Sequence, residues 1–335
     1  MFAAENAAFE WFYHELGFKK SVKLYSLIRY IRLYGPNKQY HYRWLRPEGS
    51  DHARLLMVPE ELLVAELEDT LEIPVRMIHH KIKRFLRREF ERKPWSYGFM
   101  GGSCELAAHQ QKNNRSFLKF DIRHAFFNVG HELVFDSLST TPIFGKRHYG
   151  SLSKWVARFI ADICTAQAWP EIADRYNCFS FLPQGSPTSP ILFDIACSKF
   201  DEQLSKIANR VEGTFTRYAD NIEFGMKDRT FPPKVRRAIL HEAMVLFPIH
   251  KVSESNDGKP FRMLGLQIVE QEVRMTRAYK RKLRGALHHL SYAAEHNKVD
   301  KRTLQQARGL MSFAVLEQLS PQTIAAFQAN CKQQT

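Results

Sequence analysis

Cysteine is scarce and scattered. Five residues (Cys104, Cys164, Cys178, Cys197 and Cys331) lie far apart, with no C-x-x-C pair among them. This spacing argues against a disulfide framework and supplies no zinc-ligand set; it fits reduced thiols in a cytoplasmic setting. No apolar run is long enough to span a bilayer. The opening stretch MFAAENAAFEWFYHELGF carries Glu5, Glu10 and Glu15 and lacks a basic start, so it does not read as a secretory leader. Internal repeats and low-complexity stretches are absent. Acidic side chains are in deficit: 35 Asp and Glu face 49 Lys and Arg, a net charge of +14. That imbalance points to a polyanion partner, either nucleic acid or an acidic membrane surface, and charge alone does not choose between them.

What is present suits a folded chain. Of 335 residues, 44% are hydrophobic and 13% aromatic, enough for a substantial core. Residues 1–35 read as helical, 36–59 as a strand pair, and 60–93 as helices. Within the last, Ile78, Ile82, Phe85, Leu86 and Phe90 recur at helical spacing, and the segment 81–93 is strongly basic. Residues 150–175 and 191–211 read as helices, 181–190 as a loop, 233–246 as a helix and 261–275 as β structure. In 277–294, Tyr279, Leu283, Ala286, Leu290 and Ala294 form an apolar stripe, and Arg277, Arg281, Arg284 and His288 form a basic one nearly opposite. The adjacent pairs His79-His80 and His288-His289 point apart on a helix and make poor chelators.

Two acidic positions stand out. In FLKFDI (117–122), Leu118, Phe120 and Ile122 alternate with Lys119 and Asp121, which places Asp121 on the polar side of a half-buried strand. RYADNIEFG (217–225) reads as a hairpin turning at Asp220-Asn221, two residue types that tolerate positive φ. Side by side, such strands would bring two carboxylates together, as phosphoryl transfer with divalent metals requires. On their own, two distant aspartates equally fit ordinary surface carboxylates.

The neighbouring motifs decide between these readings. FLKFDIRHAFFNV (117–129), LPQGSPTSP (182–190) and RYADNIEFG resemble, in order and spacing, motifs A, B and C of reverse transcriptases. YGFMGGSCELAAH (97–109) resembles a fingers segment of that family. HKVSESNDGKPFRMLGLQI (250–268) resembles motif D running into motif E, and VRMTRAYKRKLRGALHH (273–289) the start of a bacterial thumb. HYRWLRPEGSDHARLLMVPEELL (41–63) is a looser match to the first fingers motif. Details of motif B and the thumb are most similar to bacterial retron and defence-associated enzymes. The extra maturase domain usual in group II intron enzymes is not expected here.

The resemblance implies an α+β fold: a right-hand polymerase with fingers (1–118), a palm with an RRM-like sheet and a returning fingers segment (119–272) and a helical thumb (273–335). It implies RNA-directed DNA synthesis from dNTPs with two Mg2+ ions, or Mn2+ as the alternative. Asp121, the Ile122 carbonyl, Asp220 and Asn221 would hold the metals, and Lys251 would be a general acid near the leaving pyrophosphate. Phe126 would be the sugar gate, Gln184 and Gly185 would contact the nucleotide, and Arg54 would reach its triphosphate. Arg277, Arg281 and Arg284 would grip nucleic acid. Motif C departs from the family pattern Y-x-D-D: Asn221 stands at the second acid, and an amide oxygen can coordinate a metal but brings no charge. The implied partners are an RNA template or structured non-coding RNA and the DNA product, with an effector protein or a second copy of the chain as further candidates and no membrane. The implied setting is bacterial antiphage defence. A catalytically weak or inactive RNA-binding scaffold and a template-independent or repeat-synthesising DNA polymerase are the alternatives.

Overall fold

The computed structural model describes residues 2–18, 22–46, 53–66, 69–140, 154–257, 259–296, 299–315 and 318–332. Two compact units interleave along the chain. Met1–Met100, Ile122–Gln203 and Val245–Pro248 form the first; Gly101–Asp121, Leu204–Met244 and Ile249–Thr335 form the second. Helices and strands are mixed in both, the α+β class read from the sequence.

In the first unit, helices Phe2–Glu15 and Val22–Tyr34 bury Phe12, Leu24, Leu27 and Ile28, and helix Lys154–Cys164 buries Val156, Phe159, Ile160 and Ile163. The strand pair expected within 36–59 is Tyr40–Leu45 against Arg54–Pro59, antiparallel, with Tyr40 opposite Pro59 and Leu45 opposite Arg54. Leu55 and Met57 point inward on alternate positions of the second strand.

Helix was expected throughout 60–93, and the first half of that stretch is instead a second antiparallel pair, Leu62–Glu66 with Asp69–Ile73. Its Leu, Ala and Glu content favours helix locally, but cross-strand pairing prevails, as in Leu62 opposite Ile73. Pro74 then starts helix Val75–Glu89. There Ile78, Ile82, Phe85 and Leu86 are buried, each worth about 1.5–3 kcal/mol relative to exposure, while Arg76, Arg84, Arg87 and Arg88 face outward. The helix expected over 150–175 is likewise interrupted: 150–153 lie outside the described residues, and Ala166–Gln167 leaves the helix to pair with Ser180–Phe181 before Pro170 opens a new one.

The second unit is built on a four-stranded sheet. Strand Ile249–Ser255 neighbours Ser116–Ile122, which pairs antiparallel with Asn221–Met226, itself antiparallel to Thr214–Tyr218. Numbered along the chain, the strands lie in the order 4-1-3-2, that of a split β-α-β arrangement and the RRM-like sheet expected. One face is closed by helix Cys104–Gln111. Gln111 Nε2 donates to Thr216 Oγ1 at 2.9 Å and to the Glu223 carbonyl at 3.3 Å. Gly225 makes this approach feasible, since a Cβ there would lie 2.3 Å from both the Asn114 and Gln111 side chains.

A three-stranded antiparallel meander follows: Phe261–Met263, Leu266–Val269 and Glu272–Met275. Both its two-residue turns, Leu264-Gly265 and Glu270-Gln271, have positive φ throughout, the geometry that matches strand twist. Thr276 then caps helix Arg277–Glu295 by accepting from the Tyr279 amide at 3.2 Å. Helices Lys301–Met311 and Pro321–Lys332 complete the unit.

Candidate functional site

The hairpin that displays Asp220 turns one residue earlier than expected. Tyr218 pairs with Asn221, so the turn is Ala219-Asp220 and Asn221 opens the returning strand. Positive φ falls on Ala219 (55°), and neither Asp220 nor Asn221 has it. Strand register prevails over turn preference here. Arg217 is fully buried, and its Nη1 donates to the Ala219 carbonyl at 3.0 Å, bracing this uncommon alanine conformation.

Asp121 ends its strand directly opposite Asn221. Opposed residues share a sheet face, so Asp121, Asn221 and the Asp220 turn converge. Asp121 is only 8% exposed, where a half-buried strand was expected, because the sheet is covered on both sides along that strand. Its Oδ2 accepts from Lys251 Nζ at 3.0 Å, while Oδ1 is buried with no partner among the described residues. A buried, unpartnered carboxylate oxygen is costly in an apolar interior and suits a cation ligand. Lys251 reaches it from the neighbouring strand with positive φ (52°), a strained conformation for a lysine.

Asn221 Nδ2 donates to Asp220 Oδ1 at 3.1 Å. Burial pushes the Asp220 carboxyl above its ordinary range; its own backbone amide and Lys251 oppose the shift, and the negative charge of Asp121 adds to it. One position deeper, Glu223 is fully buried opposite Lys119. Burial is the first cause that raises its carboxyl to about 7, with Lys119 opposing and Asp121 reinforcing. The donor set therefore fits a divalent cation held by two carboxylates with an amide at the rim. Among the described residues, no group of three or more His, Cys, Asp or Glu converges on a metal-sized point.

The nucleotide-contact candidates lie in the first unit. Phe126 sits on the short 3-10 turn Ala125–Asn128, partly exposed, with its ring 5.4 Å from Phe193 and 6.3 Å from Phe99. Its carbonyl accepts from the Leu182 amide at 3.0 Å, which ties motif A to the start of motif B. The Gln184 carbonyl accepts from the Met57 amide at 2.7 Å, fastening motif B to strand Arg54–Pro59, which begins at exposed Arg54. Gly185 has φ 108°, and a Cβ there would meet the Leu56 side chain at 2.7 Å, so glycine is needed both for conformation and for closeness. Behind the loop, His79 Nδ1 lies 3.0 Å from the hydroxyls of both Ser186 and Thr188. Burial holds the His79 ring neutral, with its pKa lowered to about 3. It is a core histidine.

Arg277, Arg281, Arg284 and His288 are all exposed along one stripe of helix Arg277–Glu295, with Leu283 and Leu290 buried on the other side. Sequence reasoning missed Gln111 and Arg217. The one available signal was Gly225, a glycine inside a strand pattern, which marks close approach of another group.

The family profile described as "Reverse transcriptase (RNA-dependent DNA polymerase)" matches residues 71–268. The retron Ec86 reverse transcriptase of Escherichia coli is 24% identical over 190 residues, covering 56% of this chain and 53% of that protein. The retron Mx162 reverse transcriptase of Myxococcus xanthus is 30% identical over 151 residues, 39% of this chain and 30% of that one. The chain thus spans about half the length of the first relative and less of the second. Among solved structures, telomerase from Candida tropicalis in complex with a fragment of telomeric RNA is similar at a TM-score of 0.48 and 11% identity, over 88% of this chain and 54% of that one. The profile match covers more than half of the sequence and includes motifs A, B and C; the chain belongs to the reverse transcriptase family.

Proposed function

We propose that the protein is an RNA-directed DNA polymerase that extends a primer with dNTPs on an RNA template. The observation that carries this reading is the convergence of Asp121, the Asp220 turn and Lys251 on one sheet face in a chain of this family. Asp121 and Asp220, with the Ile122 carbonyl, would hold divalent metal ions, preferably Mg2+. When bound, the ions supply an acidified primer hydroxyl and neutralise the pyrophosphate.

The chain's own groups do the rest. Arg217 and Asn221 orient Asp220. Lys251 holds a proton on Nζ beside Asp121 and gives it to the leaving pyrophosphate as a general acid. Phe126 bars a 2′-hydroxyl from the sugar site. Gln184 and Gly185 line the path of the nucleotide, and Arg54 contacts its triphosphate. The basic stripe Arg277, Arg281 and Arg284 neutralises phosphates of primer and template.

The retron relatives favour a structured RNA as partner, and antiphage defence is the setting we infer from that likeness. Among the described residues, no helix is long and apolar enough to cross a membrane. The test is primer extension on RNA with dNTPs and Mg2+. Wild-type protein should extend, and Asp121→Asn or Asp220→Asn should lose extension by 10³-fold or more, about 4 kcal/mol of transition-state stabilisation. Wild-type rates in either folded variant would contradict the assignment.

A further inference from the structure

We infer that the seam between helices Arg277–Glu295 and Pro321–Lys332 is a pocket for one unstacked nucleotide of single-stranded RNA. This rests on the proposed handling of RNA and gives it a specific site. A cavity of about 240 Å3 opens at the seam. It is smaller than the roughly 300–1,000 Å3 of pockets for drug-sized ligands, so it suits a single ring system.

Its lining has the chemistry of a nucleotide site. Leu287 and Phe327 offer apolar and aromatic surface. Ser291 and Asn330, joined by a 3.2 Å bond from Asn330 Nδ2 to Ser291 Oγ, offer hydroxyl and amide groups of the kind that read a base edge. Arg284 and His288, both exposed, supply cationic and hydrogen-bonding partners for a phosphate.

A second observation comes from Gly285. It lies in the interior of helix Arg277–Glu295, where glycine is less favourable than alanine. A Cβ there would meet nothing within 4 Å, so no packing inside the protein asks for its absence. Gly285 stands four residues after Arg281 and three before His288, on the basic stripe itself. Gly285 leaves a side-chain-free gap on the stripe whose Arg284 and His288 also line the cavity, and this surface fits a ribose-phosphate backbone whose base turns into the seam. A continuous duplex keeps its bases stacked and has none to offer.

Ala326→Trp tests this: exposed Ala326 lines the cavity from helix Pro321–Lys332, off the basic stripe, so tryptophan plugs the cavity and leaves the stripe intact. Fluorescence anisotropy would compare binding of labelled oligoadenylate RNA and of a blunt RNA duplex at fixed salt. The variant should melt near the wild-type temperature, bind oligoadenylate about tenfold more weakly, the scale of one stacking contact, and bind the duplex as wild type does. Phe327→Ala, which removes the aromatic wall, should repeat the weaker oligoadenylate binding with unchanged duplex binding. Unchanged oligoadenylate binding in both variants, or equal loss on oligoadenylate and duplex, would overturn the pocket. The assay contains no dNTPs, so failure of wild-type protein to extend primers would reject the polymerase reading and leave this result standing.

Discussion

Asp121 and Asn221 stand directly opposite each other across an antiparallel strand pair, and the Asn221 amide donates at 3.1 Å to the neighbouring Asp220 carboxylate. The position that carries a second acid in the family's motif C pattern is thus occupied by a neutral donor that holds the remaining carboxylate. The amide spares the site a third negative charge and restricts the rotation of Asp220.

Asn221→Asp exchanges that donor for a charge. With EDTA present, the variant should melt below wild type, because three carboxylates repel one another without a cation. With Mg2+ present, the concentration for half-maximal dNTP incorporation should fall several-fold, since ligand charge tunes divalent-ion affinity. Melting curves with and without Mg2+, set beside incorporation rates, check both parts. An unchanged Mg2+ midpoint would place residue 221 outside the metal site.

Phe126 offers a test of sugar selection. Its ring is half-buried against Phe193, so truncation removes some packing as well as the barrier. Phe126→Ala should raise GTP use relative to dGTP by about tenfold or more on the same primed template, a difference of about 1.4 kcal/mol. An unchanged ratio in a variant that still polymerises would reduce Phe126 to a packing residue.

Much of this architecture was legible in the sequence. The apolar spacing of Ile78, Ile82, Phe85 and Leu86 reports burial directly, because each side chain's face follows from backbone period. Alternation in FLKFDI marks the two faces of the strand and not that the face of Asp121 is covered as well. The two-residue meander turns were less visible: Glu270-Gln271 has no glycine to announce positive φ. Residues 62–73 misled for a related reason. Their helix-favouring composition is a local property, while the pairing of Leu62 with Ile73 is a non-local one. At the site, motif spacing brought out Asp121, Asp220 and Lys251. The supports beneath them, Arg217 and Gln111, became identifiable only once chain segments distant in sequence were placed together, as in the 2.9 Å bond from Gln111 to Thr216.

A pH effect on stability should come from His131, two residues past the motif A segment. Its Nε2 lies 2.8 Å from Asp162 Oδ1, and this hydrogen bond is the first cause that raises the imidazole above its ordinary range, with burial opposing. The folded state therefore binds the proton more tightly than the unfolded chain. The resulting stabilisation is complete below about pH 6.5, the unfolded value, and is lost as pH rises through the folded value. Thermal melting across pH 6–9 should show a decline that His131→Asn abolishes. A slope that persists in the variant would assign it to other groups.

The most direct test of the central claim is to sequence the DNA made by the purified protein on two RNA templates of different sequence, with the same primer, dNTPs and Mg2+. RNA-directed synthesis requires each product to be the complement of its own template and requires Asp121→Asn to yield none. Identical products from both templates, DNA made without any template, or no extension by wild-type protein would contradict it.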